Sequence, residues 1–183
     1  MVRAMDTMSA TSRGLEVSGP TSGSHYHFLN HLASVKVAAD GERSMSVVQF
    51  EATRGFGAPL HRHEHEDELF VVIDGELRFT YGEDTIEGPK GTIAYLPAAK
   101  PHTFQVISDS AVILNVTASR THVPRFDEMV ASLGVPTDPT DLPADAAIDP
   151  GHVAAVCAEY DITILGPPPG PLDDTTTTTG KDA

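Results

Sequence analysis

Gly57-Ala-Pro-Leu-His61-Arg-His63-Glu-His65-Glu-Asp-Glu68-Leu-Phe-Val-Val-Ile-Asp-Gly75 is the stretch on which the reading of the whole chain turns. His61 and His63 are two residues apart, so on an extended strand both imidazoles share one face. Imidazole is the commonest side-chain metal ligand at neutral pH. Glu68 follows His63 by five residues, and strict alternation would turn it to the opposite face. The acidic segment between them must therefore bend or bulge if Glu68 is to join the histidines. After Glu68 an apolar run re-establishes a strand. Asp74-Gly75 then reads as a two-residue hairpin turn into residues 76–81.

Working outward, short β-branched and apolar runs recur between turn signals. Residues 32–37 and 44–52 are bounded by Asp40-Gly41 and Arg54-Gly55. Residues 92–96 stop at Pro97, and residues 102–107 and 111–117 flank Ser108-Asp109-Ser110. Strands at such regular spacing predict an all-β sandwich or barrel. After Arg120 the period changes. Phe126, Met129, Val130 and Leu133 stand at helical spacing before Gly134, and Asp149-Pro150 offers an N-cap and first-turn pair for a second helix over residues 152–160. Ala154, Ala155, Cys157 and Ala158 give that helix a small-residue face. The expected organisation is a flexible arm over 1–23, a β-barrel over 24–120, a helical extension or lid over 121–169 and a disordered tail over 170–183, where Thr175 to Thr179 form a low-complexity run.

Composition narrows the function. The chain has 183 residues and a formal net charge of -14, which repels nucleic-acid phosphates and anionic membranes. No nucleic-acid or membrane partner is expected. The longest apolar run near the core, Ala111 to Leu114, is far too short to cross a bilayer. Residues 1–14 lack the apolar stretch of a signal peptide. Cys157 is the sole cysteine, so no intrachain disulfide forms, a cytoplasmic location is expected and the thiol reads as a small core residue. There is no His-Glu-x-x-His zincin motif, no phosphate loop and no serine nucleophile elbow. Glu64, Glu66 and Asp67 read as a solvated rim. His25, His27, His31, His122 and His152 read as ordinary polar positions. His65 competes with His61 as partner of His63, but a His63/His65 pair leaves only two residues before Glu68.

The central stretch resembles the first motif of the cupin family, Gly-x5-His-x-His-x(3,4)-Glu-x6-Gly, with Gly55, His61, His63, Glu68 and Gly75 in register. The second cupin motif, Gly-x5-Pro-x-Gly-x2-His-x3-Asn, is similar to Gly91, Pro97 and His102; Ala99 replaces its second Gly and Val106 its Asn. The resemblance covers roughly residues 30–118. It implies a small jelly-roll barrel holding one divalent transition metal (Fe, Mn, Ni, Co or Zn) through His61, His63, Glu68 and His102. Three histidines and one carboxylate leave open positions on a six-coordinate metal. A small-molecule substrate is implied, with Glu68 able either to ligate or to accept a proton from a substrate hydroxyl as catalytic base. The tail, through Ser132-Leu133-Gly134-Val135-Pro136, Leu142-Pro143, Tyr160-Asp161-Ile162 and Leu165-Gly166-Pro167-Pro168, looks like the extension of single-domain quercetinase-like cupins. That points to a metal-dependent dioxygenase acting on an aromatic or enolisable molecule. The alternatives are a non-oxidative cyclase, isomerase or lyase, or a binding protein without catalysis. Phe50, Phe70, Tyr95 and Phe104 are the candidates for a substrate pocket. Cupins commonly pair through barrel edges, so a homodimer is implied.

Overall fold

A computed structural model describes residues 9–12, 15–40, 42–141 and 147–172. The expectations for the first eight residues, for Gly41, for Leu142-Pro143 and for the tail from residue 173 lie outside the described residues. In chain order the strands begin with β1 (Ser9–Ser12), β2 (Leu15–Ser18), β3 (Ser24–Phe28), β4 (His31–Val37) and β5 (Met45–Thr53). There follow β6 (His61–His63), β7 (Asp67–Asp74), β8 (Glu76–Tyr81), β9 (Asp84–Pro89) and β10 (Ile93–Leu96). The chain continues through β11 (His102–Val106), β12 (Ser110–Ala118), α1 (Phe126–Leu133), β13 (Val135–Pro136), α2 (Pro150–Glu159) and β14 (Ile162–Ile164).

Two antiparallel sheets carry the architecture, one ordered β10-β7-β12-β5-β4-β3-β13 and the other β14-β6-β11-β8-β9. The fold is all-β and jelly-roll in character. Alternation decides which residues face inward. Ser46, Val48, Phe50 and Ala52 on β5 are buried, as are Ala111, Ile113, Asn115 and Thr117 on β12, while their neighbours are not. Strand β11 differs, with all five residues buried, because its outer side is covered too. Thr103 Oγ1 donates to the Ala58 carbonyl at 2.6 Å and the Gln105 amide to the Gly170 carbonyl at 2.8 Å.

Asp74-Gly75 is not a hairpin. β7 pairs with β10 and β12, and β8 pairs with β9 and β11, so the turn carries the chain from one sheet to the other. The corner needs glycine: its φ is 81°, and a Cβ there would stand 2.2 Å from the Ser110 carbonyl oxygen. The turn chemistry was legible, but strand partners follow from the two-sheet topology, which local turn residues do not encode. Ser108-Asp109-Ser110 is likewise a crossing, between β11 and β12. The tight hairpins lie elsewhere, at Gly82-Glu83 between β8 and β9 and at Leu29-Asn30 between β3 and β4.

The helices follow the sequence pattern closely. α1 buries Phe126, Met129 and Val130. α2 is capped by Asp149, whose carboxylate accepts from the Gly151 and His152 amides at 2.9 and 3.3 Å. Its buried face is Val153 and Cys157, one turn apart, whereas Ala155 and Ala158 are exposed. The small-residue stripe is thus not the packing face: Val153 buries more apolar surface than an alanine does. Among the described residues no helix is long and apolar enough to cross a membrane.

Candidate metal centre

His61 and His63 both point inward from β6, as their spacing requires. β11 runs beside β6 with His102 opposite His61, which brings the third imidazole in. Residues 64–66 then leave that sheet, and β7 starts in the facing one. The bend demanded of Glu68 is therefore a change of sheet, which aims its carboxylate at the histidines from across the core. One nitrogen or oxygen from each of His61, His63, Glu68 and His102 lies within 4.8 Å of all the others, and all four residues are buried.

Each histidine of the cluster has an outer acceptor at Nδ1. His61 Nδ1 donates to the Pro59 carbonyl at 2.7 Å, His102 Nδ1 to the Lys100 carbonyl at 2.9 Å and His63 Nδ1 to the Glu66 carboxylate at 3.2 Å. With Nδ1 held by an outer acceptor, each ring leaves Nε2 for the cluster, the arrangement that outer partners impose on ligating histidines. His63 Nε2 is buried with no hydrogen-bond partner. His102 Nε2 stands 2.7 Å from Glu68 Oε2. A lone pair and a carboxylate oxygen at that distance need a cation, a proton or a metal, between them. The other Glu68 oxygen accepts from Asn115 Nδ2 at 2.8 Å. This buried His-His-Glu-His cluster fits a metal site.

The electrostatics agree with a site built for positive charge. Burial, followed by the neighbouring His102 and His63, pushes His61 down to about 3, so it is neutral. Burial would also lower His63, but the Glu68 and Glu66 carboxylates outweigh it and hold it above its ordinary value. Burial would raise Glu68. The three histidines prevail and keep it well below the usual carboxylate range.

The acidic segment is not a solvated rim. Glu66 is only 5% exposed. One of its oxygens accepts from His63, and the other accepts from the Arg125 backbone amide at 2.6 Å. Asp67 accepts from the Ala98 amide at 2.8 Å, and Glu64 from Arg62 and Thr163 at 2.8 and 2.6 Å. Arg62 and His63 are local, but Ala98, Arg125 and Thr163 lie far along the chain, on segments that charge patterning cannot reach. His65 is exposed and outside the cluster.

A cavity of about 60 Å³ opens beside the cluster, with His61, His63 and Glu68 in its wall. Phe50, Phe70 and Phe104 line it as expected. Tyr95 does not: it is 56% exposed. Its register opposite Leu69 puts it on the outer face of the sheet, while Ala94 opposite Phe70 and Leu96 opposite Glu68 turn inward. The helices close the cavity with Phe126, Met129, Val153 and Cys157. Among the lining residues that sequence reasoning missed are Phe56, Asn115 and His31. Asn115 could have been found from its phase with Ile113 and Thr117. His31 is not an ordinary polar position but 2% exposed, because its place opposite Phe28 on β4 turns it into the core.

The family model described as Cupin domain matches residues 49–117. The chain is 30% identical over 95 residues to an uncharacterized protein of Streptomyces coelicolor, an alignment covering 48% of this chain and 90% of that one. It is 25% identical over 148 residues to quercetin 2,3-dioxygenase of Bacillus subtilis, covering 78% of this chain but 42% of that enzyme. Among solved structures it is similar to a cupin superfamily protein from Desulfitobacterium hafniense, with 18% identity, a TM-score of 0.44 and coverage of 49% of this chain and 77% of that one. Two inward histidines on β6, a third on β11 and a glutamate from the facing sheet agree with the family-model match, and the chain carries a cupin domain over residues 49–117.

Proposed function

We propose that this chain is a mononuclear metal-dependent cupin enzyme, a dioxygenase acting on an aromatic or enolisable small molecule. The observation that carries this reading is the convergence of three Nδ1-anchored histidines and Glu68 on a cavity walled by phenylalanines. His61, His63, Glu68 and His102 would hold the metal, which when bound supplies a Lewis acid with open positions for substrate oxygens. The phenylalanines exclude water and favour a planar apolar ligand. Asn115 pins one oxygen of Glu68, leaving Oε2 among the histidine nitrogens. Oε2 is therefore the atom that either ligates or takes the proton of a substrate hydroxyl. The similarity to quercetin 2,3-dioxygenase supports a flavonol as the first substrate to try. Oxygen uptake by protein loaded in turn with Fe, Mn, Ni, Co and Zn, against a panel of flavonols and enediols, tests the reading. Absence of uptake with every metal counts against it.

The size of the cavity favours a second reading. About 60 Å³ is far below the roughly 300–1,000 Å³ common for ligand pockets. A smaller enolisable substrate handled by a cyclase, isomerase or lyase suits that volume, and turnover without oxygen separates the two. In the dioxygenase reading α1 and α2 act as a lid that opens for substrate. The chain is also proposed to pair as a homodimer through the outer face of β7 and β10, where Ile73, Ile93 and Tyr95 are exposed.

A further inference from the structure

The strand that carries His61 and His63 is held less by the barrel than by the last part of the chain. β6 is three residues long, and its register with β11 is a single pair, His102 with His61. Its register with β14 is complete: Ile162 lies opposite His63, Thr163 opposite Arg62 and Ile164 opposite His61. The ladder runs on past both ends of β6. The Glu64 amide donates to the Asp161 carbonyl at 2.9 Å, and the Leu165 and Gly166 amides donate to the Leu60 carbonyl at 2.7 and 3.2 Å. The Leu60 amide donates in turn to the Pro167 carbonyl at 3.3 Å. On the outer face Thr163 Oγ1 donates to Glu64 Oε1 at 2.6 Å. On the inner face Ile162 and Ile164 line the cavity beside the histidines.

Beyond β14 the chain continues as a strap, Gly166-Pro167-Pro168-Pro169-Gly170. Prolines with φ already fixed lose little freedom when the strap docks. Pro169 packs on Gly57, where a Cβ would stand 3.0 Å from the proline ring and 2.6 Å from the Phe104 carbonyl oxygen. Gln105 Nε2 then holds the Gly170 carbonyl at 2.8 Å. At the other end Asp161, with φ 57°, turns the chain from α2 into β14. β14 is the edge of its sheet, with β6 next to it and β11 beyond. With β14 lifted away, β6 itself is the edge and keeps one paired residue. The cluster also has a reason to loosen without a cation, because His63 Nε2 is buried with no hydrogen-bond partner and an unmade buried hydrogen bond costs free energy.

We propose that β14 and the strap, residues 161–170, are the positioning element of the metal centre: their docking on β6 sets His61 and His63 in place, and a bound metal in turn holds them docked. No residue of the segment belongs to the four-residue cluster; it acts through the backbone of β6. The two effects are one coupling free energy read from either side. This rests on the metal-binding reading above and adds a regulation of the same site, in which release of the strap releases the metal.

Amide hydrogen exchange on the full chain, metal-free and loaded with cobalt(II), tests this. Without metal, the amides of residues 162–166 are expected to exchange well ahead of those of β5 and β12, through opening of the strap alone. Cobalt is expected to slow them about tenfold or more, within the usual range of coupling between two sites. A variant reads the same coupling from the metal side. Bonded pairs at Glu64–Asp161 and Leu60–Leu165 make Arg62–Thr163 a bonded pair as well, so Thr163→Pro removes a donor from the ladder. It is expected to bind cobalt about tenfold more weakly in competition with a chelator, with β5 and β12 still protected. Thr163→Val keeps the ladder and loses only the hydroxyl, and is expected to keep wild-type affinity. An equal loss in Thr163→Val overturns the role of the ladder. Exchange over 162–166 that is the same with and without cobalt, or already as slow as β5 before metal is added, overturns the proposal. Wild-type cobalt affinity in Thr163→Pro while its 162–166 amides exchange freely overturns it too. The exchange comparison needs no variant and decides the matter even where Thr163→Pro does not fold. Bound cobalt with unchanged exchange sinks the strap alone, whereas a wild type that binds no cobalt sinks the metal reading and this proposal with it.

Discussion

Glu66 bridges His63 and Arg125: it accepts from the His63 ring at 3.2 Å and from the Arg125 backbone amide at 2.6 Å. Arg125 is the residue from which α1 starts, so one carboxylate orients a candidate ligand and anchors the helix that roofs the cavity. Its negative charge also suits a helix N-terminus. Glu66→Gln keeps the shape but weakens the acceptor on the His63 side. Metal affinity is expected to fall about 10–100-fold, as for other outer partners of ligating histidines. Competition titration against a chromogenic chelator measures it, and an unchanged affinity would mean that Glu66 only seats the helix.

Asn115 is the second support. It is fully buried, and its amide holds Glu68 Oε1 at 2.8 Å. Asn115→Leu leaves a buried carboxylate oxygen without its donor. A loss of about 1–3 kcal/mol in metal-free stability is expected, read from urea unfolding. No loss would show that Glu68 finds another partner.

Asp127 makes stability depend on pH. It sits in the first turn of α1, and its Oδ1 is buried with no hydrogen-bond partner. Burial, aided by Glu128 and Glu66, raises it from 3.8 to about 6. The folded state therefore favours the protonated acid. The penalty is absent well below the unfolded value, grows as pH rises through the window between 3.8 and about 6, and is complete above it. Asp127→Asn is expected to stabilise the protein by about 1–3 kcal/mol at pH 8 and by much less at pH 4. Urea midpoints of both proteins at the two pH values check this, and an equal effect at both would refute it.

The homodimer proposal has its own variant. Ile93 stands on the edge strand β10 and is 65% exposed. A lysine there puts charge on both the face and the edge that a partner strand would use. Ile93→Lys is expected to elute as a monomer with light scattering where wild type elutes as a dimer. A wild type that is itself monomeric contradicts the proposal.

What the sequence made legible was the local and the periodic. The two-residue spacing of His61 and His63 gave a shared face, the five-residue gap to Glu68 demanded a bend, and Asp149-Pro150 marked the start of α2. What it withheld depends on pairing between distant segments. Asp74-Gly75 turns the chain, but only the sheet order decides whether the next strand pairs back or crosses over. Tyr95 and Phe70 are similar aromatic residues on neighbouring strands, and it is the register against Leu69 that sends Tyr95 outward. Glu66 looked like one acid among several because its partner on α1 is 59 residues away. His31 was unreadable for the same reason, since its neighbours Phe50 and Phe56 come from other segments.

The central claim is that His61, His63, Glu68 and His102 hold one divalent metal. The direct measurement is metal content after cobalt(II) loading and desalting, on wild type and on His102→Ala. Wild type is expected to hold about one cobalt per chain, in line with one cluster of four ligands, and the variant to lose tight binding. Stoichiometric metal retained by His102→Ala, or none bound by wild type, would contradict it.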